Sequence, residues 1–214
     1  MGETRLWPVV RRFMKKKYPD VLVSEINAGI QGALMDVVLV RGIYKDISAD
    51  TEVISVEVKP NRNRFLASLG QAYGYSILAD KVYLAVADRL SQDEVDISTK
   101  IGVGLLEIQG GDCVERASSQ KFSPMPDLKL DLLANLNIFV CTICGSFFLD
   151  KSPSRNLRNA LQNGRSYIYF LEDQANSPLR RRLDKRQYIY NKRHICTDCV
   201  REVLSKDSRN FDAA

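Results

Sequence analysis

Apolar positions in the first half of the chain switch between two periods, and each switch marks an element. From Glu3 to Lys17, Leu6, Val9, Val10 and Phe13 recur at helical spacing with Lys and Arg opposite, and Tyr18-Pro19-Asp20 ends the run. This predicts an amphipathic helix. Strand patterns follow in VLVSEI, in MDVVLVR after the turn-rich NAGIQG, and in EVISVEV, which Pro60 stops. A polar loop through Asp46 to Asp50 joins the last two, so they read as a hairpin. Asn61 to Ala79 carries Phe65, Leu66, Leu69, Ala72, Tyr73 and Ile77 at helical spacing, and the almost wholly apolar KVYLAVA reads as a buried strand. With GVGLLEIQ as a further strand, the order is αβββαβ plus one, an α/β fold with a mixed central sheet flanked by helices.

From about Gly110 the text turns to Gly, Ser, Pro and charge, including SPMPD. The expected organisation is therefore a first domain over 1–115, a linker over 116–135 and a second domain over 136–214. At 45% hydrophobic and 27% charged residues, the 214-residue chain has an ordinary globular composition, and disorder is not the default. No apolar run approaches the roughly 18 residues of a membrane span, and MGETRLWPVVRRFMKKK lacks a signal-peptide core, so the expected location is cytoplasmic with no membrane partner. Net charge is +5, distributed unevenly: 17 Lys and Arg face 19 Asp and Glu up to Asp150, whereas 14 face 7 from Lys151 onward. A basic C-terminal end suits a polyanion such as nucleic acid.

Charges inside apolar strands are costly unless something uses them. Asp36 lies in MDVVLV, and Glu57-Val58-Lys59 ends VISVEVKP. Two converging carboxylates attract a divalent cation, and an ammonium one pleat away can hold a water. Glu-x-Lys alone is a common solvated alternation. Its weight here comes from Asp36 on the preceding strand and from the helix carrying Gln71 and Tyr75 that follows.

In these residues the chain resembles the PD-(D/E)xK, or restriction-endonuclease-like, nuclease superfamily from Glu3 to about Ile108. Gln71-Ala-Tyr-Gly-Tyr75 is similar to the Gln-x-x-x-Tyr element of its RecB-like branch. Met35, where the family motif has proline, is a departure. The resemblance implies a restriction-endonuclease-like core in which Asp36, Glu57 and the Val58 carbonyl bind Mg2+ or Mn2+, and Lys59 orients the attacking water. Gln71 would position that water or a phosphate oxygen, and Glu3 would support the site from behind; Tyr75 is expected as a core aromatic and Glu25 as a surface residue. The function so implied is a metal-dependent endo- or exodeoxyribonuclease in restriction, defence or DNA repair. A non-catalytic nucleic-acid-binding or assembly protein on the same scaffold is the alternative. A homodimer would suit duplex cleavage. The chain has no Gly-x4-Gly-Lys-Ser/Thr loop, so any ATP-driven step would come from a partner ATPase in a defence complex.

Cys141-Thr-Ile-Cys144 and Cys196-Thr-Asp-Cys199 are two Cys-x2-Cys knuckles, which predict a closed four-thiolate structural zinc site, with an iron-sulfur cluster as the competing cofactor. His194 is expected at the surface or beside the ligands, and Cys113 as a small, partly buried residue. Between the knuckles, Arg155, Arg158, Arg165, Arg180, Arg181, Arg182, Lys185, Arg186, Lys192 and Arg193 alternate with Tyr167, Tyr169, Phe170, Tyr188 and Tyr190. Their guanidinium groups are expected to grip phosphates of a nucleic acid, with DNA the expected one, while YIYF and YIY read as strands of the zinc module's own core.

Overall fold

The computed structural model describes residues 2–30, 32–42, 51–155, 157–170 and 192–202. One compact unit runs to Leu136, and a second begins at Asn137. In the first, α1 (Trp7–Lys17) is followed by β1 (Val21–Ile30), β2 (Ala33–Arg41) and β3 (Glu52–Lys59); then come α2 (Phe65–Gly74), β4 (Lys81–Val86), α3 (Gln92–Ile101), β5 (Gly104–Gln109), β6 (Asp112–Ala117) and α4 (Pro126–Asn135). The six strands lie in chain order in one sheet. Pairing is antiparallel from β1 to β3, parallel through β4 and β5, and antiparallel again at β6. The expected mixed sheet is present.

Side-chain alternation on β2 and β3 decides what each face does. Val37, Leu39, Ile54, Val56 and Val58 share one core with Val10 and Met14 of α1, and all seven are fully buried. Each large aliphatic side chain removed from water there contributes about 1.5–3 kcal/mol. The alternate positions Asp36, Ser55, Glu57 and Lys59 therefore fall on the opposite face, the one α2 covers. Val37 pairs with Val56, so Asp36 and Glu57 come next along the two strands.

Four segments depart from the sequence pattern. The turn-rich NAGI belongs to β1, which continues to Ile30; Asn27 has a φ of 52°, a left-handed conformation that Asn tolerates, and it interrupts the ladder opposite Asp36. Residues 92–101, unassigned from sequence, form α3. Its start is a reciprocal cap, with the Ser91 hydroxyl accepting from Glu94 N–H at 3.3 Å and the Glu94 carboxylate accepting from Ser91 N–H at 2.7 Å. Gly102, at φ 81°, ends it. The expected 116–135 linker is not free chain: β6 runs to Ala117, and α4 starts on Pro126, buries Leu132 and Leu133, and is pinned by Lys129, whose ammonium donates to Thr51 O at 2.6 Å and contacts Asp80 at 2.7 Å. The boundary lies after that helix.

The second unit contains β7 (Ile138–Val140) antiparallel to β8 (Phe147–Leu149), α5 (Leu157–Gln162), and β9 (Tyr167–Phe170) antiparallel to β10 (Lys192–Ile195). YIYF is thus strand β9. Tyr188 and Tyr190 lie outside the described residues.

Candidate active site and candidate metal centre

Asp36 and Glu57 are 9% and 1% exposed, on adjacent strands and on one sheet face. Asp36 Oδ2 accepts the Val58 N–H at 2.7 Å. Because one strand residue sends its N–H and C=O toward the same edge, the Val58 carbonyl also faces the β2 side, beyond the ladder pair Val37–Val56. Lys59 Nζ lies 2.5 Å from Glu57 Oε1 and 3.6 Å from Glu3 Oε2, and Glu3 reaches it from the 3-10 turn Glu3–Arg5 ahead of α1. Gln71 donates from Nε2 to the Tyr75 hydroxyl at 3.1 Å. That hydroxyl lies 3.0 Å from Glu57 Oε2 and 2.7 Å from Leu34 O, so its single proton serves one of two acceptors at a time.

The structure brings Asp36, Val58, Glu57, Lys59, Gln71 and Glu3 to one locus. Tyr75 is buried, as a core aromatic should be, yet its hydroxyl also holds the innermost carboxylate. Glu25 is exposed on β1, as expected. Glu107 of β5 was not singled out from sequence: it is a fully buried acid, and Arg116 at 2.8 Å and the Leu90 N–H at 3.1 Å satisfy it. A lone Glu in the apolar run GLLEIQ was its only signal.

Burial raises Asp36 from 3.8 to about 6, against the Val58 hydrogen bond and with Glu57 and Glu3 adding repulsion. Burial likewise raises Glu57, opposed by Lys59. Lys59 loses hydration, which favours the neutral amine, but Glu57, Glu3 and Asp36 outweigh that and raise it, so it stays an ammonium. Raised carboxylates bind protons in the folded state that the unfolded chain has already released. Stability should therefore fall as pH rises from about 4 through 6, with Asp36 accounting for about 3 kcal/mol of the loss. Urea unfolding at stepped pH checks this: Asp36→Asn is expected to flatten the slope, and an unchanged slope would refute the assignment.

Beside Lys59, a cleft of about 450 Å3 opens between the end of β3 and the start of α2, lined in part by Asn61, Arg64, Ser68 and Gln71.

In the second unit the four knuckle cysteines place their Sγ atoms within 4.8 Å of one another. Cys144 and Cys196 Sγ are 3.9 Å apart. Four ligands at the 2.3 Å Zn–S distance of a tetrahedral ion stand about 3.8 Å apart, so the set fits one ion, whereas a cluster core of several atoms needs its thiolates farther apart. The first knuckle is the β7–β8 turn, where Gly145 takes φ 72° and donates its N–H to Cys141 O at 2.8 Å. The second follows β10, and the Cys196 N–H donates to Cys141 Sγ at 3.4 Å. Burial pushes Cys196 up, opposed by hydrogen bonds to Cys199 and aided by Cys141, and burial with the neighbouring thiols pushes Cys199 up; for Cys144 burial is outweighed by hydrogen bonds, first of all to Ser146, which hold it at about 6. Four thiols sharing so small a volume are poised to lose protons to a cation. His194 is 9% exposed rather than at the surface: its ring stacks on Phe139 at 3.9 Å, and its carbonyl accepts from Thr142 N–H at 2.8 Å.

Arg155, Arg158 and Arg165 are exposed. Arg180, Arg181, Arg182, Lys185 and Arg186 lie outside the described residues, as do the side chains of Lys192 and Arg193.

No protein-family model matches the chain, and no curated protein matches it. A solved structure, a protein of unknown function from Silicibacter pomeroyi, is similar over 64% of this chain and 84% of that one, at 20% identity and a TM-score of 0.47. The chain is a mixed α/β domain followed by a unit whose four cysteines could hold a metal ion such as zinc. No helix among the described residues is long and apolar enough to cross a membrane.

Proposed function

We propose that this chain is a nuclease of the PD-(D/E)xK type that hydrolyses phosphodiester bonds, DNA being the expected substrate, with Mg2+ or Mn2+ at Asp36, Glu57 and the Val58 carbonyl. The observation that carries this reading is the gathering of two buried acids and an ammonium on one sheet face beside an open cleft. The donor set fits a hard divalent ion: it is all oxygen, and both acids are raised by burial, a cost that a cation removes. When bound, the ion would supply a Lewis acid for the phosphoryl oxygen and a water of lowered pKa. Lys59 stays protonated, so it orients water and offsets developing negative charge rather than acting as a base. Tyr75 fixes the rotamer of Glu57, and Gln71 fixes Tyr75. Glu3 draws the ammonium away from Glu57 when that carboxylate turns to a ligand role.

In the second unit, the four thiolates would hold structural zinc, and the exposed arginines around it would dock on the phosphate backbone. Restriction or defence and DNA repair both accommodate this chemistry.

A second reading rests on the Lys59–Glu57 ion pair, which satisfies the deepest acid without a metal and suits a nucleic-acid-binding scaffold. Purified protein incubated with plasmid and with single-stranded DNA separates the two. Cleavage is expected with Mg2+ or Mn2+ and none without; binding with no cleavage under either ion would favour the scaffold.

A further inference from the structure

The cleft beside Lys59 is built for an anion. Six of its lining residues are Lys59, Asn61, Asn63, Arg64, Ser68 and Gln71, and no carboxylate lines it. Arg64 is exposed and has no acid partner among the described residues, in contrast to Arg62, which is held by Arg89 O at 3.4 Å and Glu94 at 3.5 Å. Ser68 is 7% exposed, and its hydroxyl has no hydrogen-bond partner among the described residues although it lines the cleft. That hydroxyl is reached from the cleft, where a ligand atom can take the place of water as its partner. The same cleft lies at the N-terminus of α2, a ten-residue helix whose capping position, Arg64, makes no side-chain cap. Phe65 and Ser68 donate their N–H groups to Arg62 O and Arg64 O, while those of Leu66 and Ala67 have no acceptor among the described residues. Free first-turn amides carry the positive end of the helix dipole.

We propose that this cleft is a phosphate subsite, adjoining the Asp36–Glu57 centre and sharing Lys59 and Gln71 with it, that takes a phosphate neighbouring the scissile one on a nucleic acid strand. Arg64 and the α2 amides would bind its oxygens, Ser68 would donate one hydrogen bond from below, and Asn61 and Asn63 would close the rim. Naming a nucleic acid as the source of the phosphate rests on the nuclease reading; the anion chemistry does not. The subsite would fix the register of the strand, so that the next phosphate falls beside Lys59.

The test is a 1H–15N titration of the full chain, with no divalent metal added and no chelator present, so that the cysteine site stays loaded. The probes are inorganic phosphate, thymidine 5′-monophosphate and thymidine. Phosphate and the nucleotide are expected to shift the amides of Asn63, Leu66, Ala67 and Ser68, and thymidine to leave them in place. Arg64→Ala and Ser68→Ala should each weaken the nucleotide about three- to tenfold, and Asp36→Asn should not. The proposal is overturned if thymidine shifts these amides as strongly as its monophosphate, if phosphate shifts none of them, or if both cleft variants bind like the parent. Cleavage by a parent protein that shows no phosphate binding here sinks the subsite alone; binding here by a protein that cuts nothing supports the subsite and sinks the catalytic reading alone.

Discussion

Asp36→Asn should lower Mg2+-dependent cleavage by about a thousandfold or more while the protein stays folded, because it removes an anionic ligand without removing a hydrogen-bond acceptor. The amide oxygen can still take the Val58 N–H that now meets Asp36 Oδ2 at 2.7 Å. Three decades of rate correspond to about 4 kcal/mol of transition-state stabilisation, within what a metal acting as Lewis acid supplies. The substitution also removes a buried acid that the fold holds at about 6, so the thermal midpoint at neutral pH should hold or rise. That pairing of lost rate with kept or gained stability is the signature of a group retained for chemistry. Lys59→Ala is the companion variant: it strips Glu57 of the ammonium 2.5 Å away and leaves Tyr75 as its remaining partner, so Glu57 should protonate more readily and bind metal less well. Initial rates on supercoiled plasmid, beside unfolding midpoints, decide the matter. Equal rates for Asp36→Asn and the parent would remove this site from catalysis.

The elements that carry the site were legible because each obeys a single period. Alternation in MDVVLVR and EVISVEV placed Asp36, Glu57 and Lys59 on one face, and the ladder from Val37–Val56 fits it. Helical spacing picked out Leu6 and Val10, both buried, but not Met14, which is fully buried as well. Periodicity failed where tertiary partners decide. The start of α4 sits in SPMPD, whose prolines read as loop, and its hold on the sheet comes from Lys129 reaching Asp80 and Thr51, far away in sequence. For α3 a local signal did exist: Ser91 and Glu94 stand three apart, the spacing of a reciprocal cap, and Gly102 follows the last turn. Its polarity hid it, since QDEVDISTKI offers only Val95, Ile97 and Ile101 as apolar positions. The double role of Tyr75 was invisible for another reason, since burial statistics describe where a ring goes and not where its hydroxyl points. Likewise the cleft at Arg64 and Ser68 depends on which donors the folded chain leaves unused, a property no spacing records.

Removing the metal from the four cysteines should unfold the second unit and leave the first intact. Structural zinc binding is worth about 10–16 kcal/mol in small modules at neutral pH, comparable to or larger than the whole stability of an ordinary domain. Among its described residues the second unit has two short antiparallel strand pairs, the six-residue α5, helical residues 197–202 and the Phe139–His194 stack. The first unit keeps its own apolar core between α1 and the sheet. Cys141→Ser or Cys196→Ser, or chelation of the parent, is therefore expected to make residues 137–202 protease-sensitive while a fragment ending near Leu136 resists. Thiol labelling gives an independent reading. Burial, with Asp112 adding repulsion, pushes the Cys113 thiol up to about 12, so it should stay slow to alkylate while the four knuckle thiols become reactive on chelation. Metal analysis of the untreated protein should find one zinc per chain and no iron. If the second unit keeps its protection with the metal gone, the thiols are packed for their own sake and the zinc assignment falls. If several irons and inorganic sulfide are found instead, the ligand spacing of 4.8 Å or less must open on loading, and the knuckles belong to a cluster.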